Sequence, residues 1–193
     1  MERPKGIPAD QALEILLTGN RHFVENHQEN ASRASSIVRK LDQEQKPLAV
    51  IVGCSDARVP PDVIFDTHLG DLFTIRTAGH VIGAVSLGTV EYAVMVLGVN
   101  LVVVLGHGYC GAVTSALSDA ETIGLAPVLA PIREVVEKAG GNMSVDEAVR
   151  LNARHTAELL ITSRPTFQKM IDEGTLKIVA TYYDLNTGTV ELL

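Results

Sequence analysis

The sequence predicts an α/β fold: a mainly parallel β-sheet of four to five strands flanked by helices, with an N-terminal helical arm. Three observations carry this expectation. Two apolar runs, Leu48-Ala49-Val50-Ile51-Val52 and Leu101-Val102-Val103-Val104-Leu105, each end at a glycine, Gly53 and Gly106. Neither run alternates with polar residues, as expected of parallel strands buried on both faces. Strand-like and helix-like stretches also alternate along the chain, the pattern of a sheet covered by helices.

Each element follows from local pattern. Residues 9–27 read as an amphipathic helix, with Leu13, Leu16, Leu17, Phe23 and Val24 on one face. Residues 27–47 are rich in Ser, Gln and Glu, and are expected to link this arm to the body as helix and loop. A first strand spans 48–53, and Pro60-Pro61 marks a turn after it. A second strand covers 72–76. A helix at about 84–97 turns Leu87, Val90, Val94 and Leu97 inward, with Gly98 as its C-cap. Strand 101–105 follows, then a short helix after Cys110. Helices are expected near 126–138 and 145–163. The second opens with Ser144 and Glu147 at capping-box spacing. Gly174 ends a last short helix, and Leu176 to Tyr183 is a strand. Asp184 to Gly188 form a turn, from which Thr189 to Leu192 return antiparallel.

The length of 193 residues and a hydrophobic content of 46% suit one domain, 1–193. Its arm and linker occupy 1–47 and its α/β body 48–193. Sixteen Lys and Arg against 23 Asp and Glu leave a net charge of −7 and no basic block, so no nucleic-acid partner is expected. No segment reaches the ~18 unbroken apolar residues of a membrane span. The polar start, Met1 to Gly6, lacks a signal-peptide core after it, so a cytoplasmic location and no membrane partner are expected. Nucleotide-binding glycine motifs are absent. In a reducing compartment, the two cysteines point to metal ligands or reactive thiols rather than a disulfide.

Those cysteines sit in two short motifs. Cys54-Ser55-Asp56-Ala57-Arg58 follows the first apolar run, and His107-Gly108-Tyr109-Cys110 follows the second. If the runs are parallel strands, both motifs emerge at strand C-terminal ends, where open α/β sheets place their chemistry. Singly, a buried cysteine is usually a small core hydrophobe. Jointly, Cys54, His107 and Cys110 make a Cys₂His set that suits tetrahedral zinc, with sulfur at about 2.3 Å and nitrogen at about 2.0–2.1 Å. The fourth corner is open to water or to Asp56. In an extended segment, residues 54, 56 and 58 share a side. Asp56 would then have two partners, the metal and the guanidinium fork of Arg58, which can clamp a carboxylate. That is the making of a gate. The rival reading, a redox pair of Cys54 and Cys110, leaves His107 and Asp56 without a role.

The order of motifs carries a resemblance. C-x-D-x-R from Cys54, then Arg76-Thr77-Ala78-Gly79, then S-L-G-x-x-E-Y-A-V over 86–94, then G-H-x-x-C-G-A over 106–112, is similar to the β-class carbonic anhydrases. The likeness covers about residues 48–118 strongly and the arm and tail more loosely. It implies that Cys54, His107 and Cys110 hold a catalytic Zn²⁺, with Asp56 and Arg58 as the dyad beside it. Asp56 either takes the fourth metal position at rest or pairs with Arg58 and leaves that position to water. The implied reaction is reversible hydration of CO₂ to bicarbonate and a proton, by water that zinc has made nucleophilic, its pKa brought from 15.7 to about 7. Asp56 would orient that nucleophile. His68 and His80 are candidate proton relays. Relatives that hydrolyse COS or CS₂, or a non-catalytic zinc protein with Asp56 as permanent fourth ligand, are the alternatives.

Departures from the family pattern are local. One subclass has a substrate-binding Gln where this chain has His68 or Thr67. Another has an inhibitory bicarbonate site whose positions are here Ile51, Gly53 and Arg76, without the Trp. Tyr109 stands where a smaller residue is commoner. The resemblance implies a homodimer or homotetramer; the amphipathic helix and polar linker suit an arm that packs on a neighbouring subunit, the alternative being a helix packed on its own chain.

Overall fold

The two apolar runs become the central strands β1 (Ala49–Cys54) and β3 (Leu101–His107), paired in parallel. In the computed structural model, residues 5–28, 45–118 and 124–193 are described. Strand β2 (Leu72–Thr77) flanks β1, and β4 (Lys177–Tyr183) flanks β3, both in parallel. Strand β5 (Val190–Leu192) closes the sheet antiparallel to β4. The order is β2-β1-β3-β4-β5, the mainly parallel sheet expected from the sequence.

Every residue of β1 and β3 is buried, because helices cover both faces. They are α1 (Ala9–Val24), α2 (Pro61–Ile64), α3 (Ala84–Met95), α4 (Gly111–Leu117), α5 (Ala126–Lys138), α6 (Val145–Thr162) and α7 (Pro165–Asp172). On one face Ile51, Val103 and Leu105 pack with Leu16, Leu129 and Ile132. On the other, Val50, Val52, Val102 and Val104 meet Val90, Val94, Leu160 and Phe167. Each such side chain contributes about 1.5–3 kcal/mol when fully buried. This fixes the strand ends from which the two motifs leave. Strand β2 is an edge, and only Ile75 in it is buried.

The helical boundaries follow the sequence closely. Ser144 and Glu147 form the expected capping box of α6. Gly98 and Gly174 both take the left-handed conformation after their helices. Two points differ. The first helix stops at Val24 rather than at 27. Pro60-Pro61 opens a one-turn helix rather than a plain turn, because Pro61 at its first position presets φ. The N-terminal helix packs closely on the chain's own body. Ala12 and Leu16 are fully buried in the chain's own core. Gly19 lies so close to α2's end that an added Cβ would sit 1.8 Å from the Phe65 carbonyl oxygen. Asn20 fastens the arm further. Its Nδ2 donates to the Ile64 and Gly188 carbonyls, and its Oδ1 accepts from the Val190 amide. Most of the expected linker, residues 29–44, lies outside the described residues. Among the described residues no helix is long and apolar enough to cross a membrane.

Candidate metal centre

Strands β1 and β3 are neighbours in register, Gly53 beside Leu105. Their C-terminal residues, Cys54 and His107, therefore emerge side by side. Two residues of turn carry the chain from His107 to Cys110, which caps the start of α4. The ligand atoms of Cys54, His107 and Cys110 all lie within 4.8 Å of one another, and all three residues are buried.

The trio has the chemistry of a metal site. The Cys54 and Cys110 sulfurs are 4.0 Å apart. A tetrahedral centre with Zn–S bonds of 2.3 Å needs about 3.8 Å. His107 Nδ1 is 2.9 Å from the Gly108 carbonyl oxygen. That acceptor places the ring proton on Nδ1 and leaves Nε2 with a lone pair. Nε2 is fully enclosed and has no hydrogen-bond partner in the structure, an unmet acceptor facing two thiols. Hydrogen bonding from Cys110, with smaller help from the Asp56 and Gly79 backbone amides, lowers the Cys54 thiol pKa well below the usual thiol range despite its burial. The Cys110 thiol is pushed up in turn, first by that same hydrogen bond. A divalent cation would let both ionise.

Asp56 stands beside this trio, not in it. Arg58 holds its carboxylate bidentately, Nε to Oδ1 at 2.9 Å and Nη2 to Oδ2 at 2.7 Å. This pairing keeps the Asp56 carboxyl well below the usual carboxylate range. Asp56 Oδ2 is nevertheless only 4.0 Å from His107 Nε2. The pair meets through a turn, not through extended alternation. The Arg58 amide donates to Asp56 Oδ1 at 3.0 Å, and the Val59 amide to the Asp56 carbonyl at 3.2 Å. Arg58 Nη2 also donates to the Tyr109 carbonyl at 3.2 Å, tying the first motif to the second.

The remaining sequence candidates fall as follows. His80 is fully buried, and burial holds its pKa near 4, so it stays neutral and has no path to solvent of its own. His68 is engaged with Asp71, Nδ1 to Oδ2 at 3.3 Å. Thr67 is buried, its hydroxyl on the Asp62 carbonyl. Ile51 and Gly53 lie inside β1, with Gly53 in register with Arg76. Tyr109 is 64% exposed, left-handed at φ 54°, and its hydroxyl accepts from Asn186 at 3.4 Å.

Three further residues support the site, two of them, Arg76 and Gly79, from the Arg76–Gly79 motif, whose part here the sequence did not show. Arg76, on the edge strand, donates to the carbonyls of Cys54 and Asp56 and so braces the first motif from behind. The Gly79 amide points at Cys54 Sγ from 3.3 Å. Asn152, a buried amide on α6, reaches the same loop. Asn152 escaped the sequence reading; its only signal is as a polar residue between Val149 and Ala153 on the apolar side of its helix.

A family model described as carbonic anhydrase matches residues 49–190. Carbonic anhydrase 2 of Mycobacterium tuberculosis is 40% identical over 190 residues, covering 94% of this chain and 91% of that protein. A carbonic anhydrase of Pseudomonas aeruginosa is 34% identical over 175 residues, covering 82% and 79%. Among solved structures, a tetrameric β-carbonic anhydrase of Sordaria macrospora superposes with a TM-score of 0.75 at 25% identity, covering 95% of this chain and 97% of that one. A β-carbonic anhydrase of Aspergillus fumigatus gives 0.75 at 28% identity, covering 95% and 89%.

Proposed function

The chain belongs to the β class of the carbonic anhydrase family of enzymes, and from that premise we propose that it is a zinc enzyme interconverting CO₂ and bicarbonate plus a proton. The observation that carries this reading is the buried Cys54–His107–Cys110 trio with its unmet Nε2, beside a carboxylate withheld by an arginine. The donor set fits zinc: two sulfurs at nearly the separation a tetrahedron needs, and one imidazole nitrogen. Bound there, zinc would supply the Lewis acidity that makes water a nucleophile near neutral pH.

The chain's own residues do the rest. Cys54 and Cys110 give thiolates and His107 gives Nε2, its ring held by the Gly108 carbonyl. Asp56, kept anionic by Arg58, can only accept hydrogen bonds. Its Oδ2 accepts one from the attacking water and turns that water's lone pair toward CO₂. Arg58, holding both Asp56 oxygens, would keep the carboxylate from a metal held by the trio. Released from the fork, Asp56 would be near enough to serve as a further ligand to a metal held by the trio, and would then close the site. Asp56 and Arg58 thus form a gating and orienting dyad. The pairing with Arg58 supports an open site over a permanently closed, non-catalytic one.

A homodimer or homotetramer is the proposed assembly. Val85, Val96 and Tyr92 leave an exposed apolar face on and beside α3, and the Sordaria macrospora relatives are tetrameric. A monomeric mass in light scattering at micromolar concentration would remove this. The proposed compartment is the cytoplasm, where thiols stay reduced. The activity itself is tested by stopped-flow CO₂ hydration, with sulfide release from COS and CS₂ assayed in parallel. Hydration of CO₂ is expected to dominate. Sulfide release without CO₂ hydration overturns the reading.

A further inference from the structure

We propose that Asn152 and His80 are positioning residues for Cys54: they clamp a strained turn whose amide holds that ligand's sulfur. The inference rests on Cys54 being a metal ligand.

The turn is the 3₁₀ segment Ala78–His80, directly after β2. Two successive residues in it are left-handed, Gly79 at φ 63° and His80 at φ 48°. That conformation is easy for glycine and strained for histidine. Gly79 has no room for a side chain either. An added Cβ would lie 2.9 Å from Ile132 Cδ1 and 3.2 Å from Ala112 Cβ. The same conformation aims the Gly79 amide at Cys54 Sγ.

Helix α6 holds the turn in this state. Asn152 Nδ2 donates to the Gly79 carbonyl at 3.0 Å and lies 2.9 Å from His80 Nε2. The carbonyl fixes which way the amide lies, because only Nδ2 can face it favourably. His80 Nε2 must then be the acceptor, with the ring neutral and its proton on Nδ1. Both groups are buried, so neither bond has water as a substitute. One amide therefore spans the two left-handed residues and connects α6 to a ligand sulfur. A donor on a thiolate draws charge from sulfur and fixes its place. Outer partners of this kind commonly change metal affinity 10–100-fold.

Asn152→Asp keeps the volume at this site, while its carboxylate does not donate. In the full chain with cobalt in place of zinc, its thiolate-to-cobalt band is expected at longer wavelength than in the parent. Its zinc dissociation constant, from chelator competition, is expected to rise about tenfold. His80→Gln keeps an acceptor oxygen near the Nε2 position and should stay within about twofold of the parent on this affinity scale. If Asn152→Asp does not fold, His80→Phe removes the acceptor at similar bulk and carries the same expectation as Asn152→Asp. A folded Asn152→Asp or His80→Phe with parental zinc affinity and an unmoved cobalt band overturns the proposal while leaving the metal site standing. A parent chain that takes up neither zinc nor cobalt removes the metal site, and the proposal with it.

Discussion

The two halves of the site are built on opposite terms. Cys54, His107 and Cys110 are 6%, 0% and 1% exposed; the first two end strands with no solvent-facing residue, and Cys110 opens helix α4. The side chains of Asp56 and Arg58 are 18% and 53% exposed, on a turn, held by hydrogen bonds alone. Buried ligands cannot rearrange without disturbing a packed core, so the binding half keeps one geometry. Exposed ion pairs contribute little net energy and are readily remade. The pair that must let go to close the site thus lies outside the packed core, and the trio that must retain metal lies within it.

The comparison breaks most visibly if the rigid half is cut. Cys110→Ser should lose zinc altogether, more than the ~10–100-fold that outer partners cost, as read by metal content after dialysis. Asp56→Asn should keep full zinc and lose about a hundredfold in CO₂ hydration. Equal loss of zinc and activity in Asp56→Asn would erase the distinction between the halves. Arg58→Lys offers a point charge where a fork is needed, and should lower CO₂ hydration about tenfold with zinc unchanged. Gly19→Ala, at the α1 contact with Phe65, should destabilise by about 1–3 kcal/mol. That is a fall of several degrees in Tm by calorimetry, with zinc content untouched.

The smallest expected effect is one of pH. Arg58 depresses the folded Asp56 pKa below its ordinary 3.8. The contribution of this group is therefore complete above about pH 5, and is lost only as pH falls through the depressed value. No titration of Asp56 should appear in the CO₂-hydration profile between about pH 6 and 9. An inflection there that Asp56→Asn removes would show the pair to be looser than described.

Much of this was legible in the residues, for identifiable reasons. The runs at 48–52 and 101–105 have no polar interruption, so they could only be buried strands, and the motifs at their ends followed. The Ser144–Glu147 box and Gly98 marked helix ends through local chemistry that tertiary contacts did not override. What stayed hidden depends on distance in space. The docking of the N-terminal helix rests on Gly19 against Phe65 and on Asn20 reaching the C-terminal hairpin, 168 residues away. The Asp56–Arg58 turn depends on side-chain-to-backbone bonds that alternation along an extended segment does not foresee. Arg76 and Asn152 act on loops far from them in sequence: Arg76 showed only as part of the Arg76–Gly79 motif, without its contacts, and Asn152 only as buried polarity.

The most direct test is a zinc titration of metal-free protein followed by stopped-flow CO₂ hydration. Activity should rise in proportion to zinc and saturate at one equivalent per chain. Protein that binds one zinc yet shows no CO₂ hydration between pH 7 and 9, or activity that does not follow zinc, would contradict it.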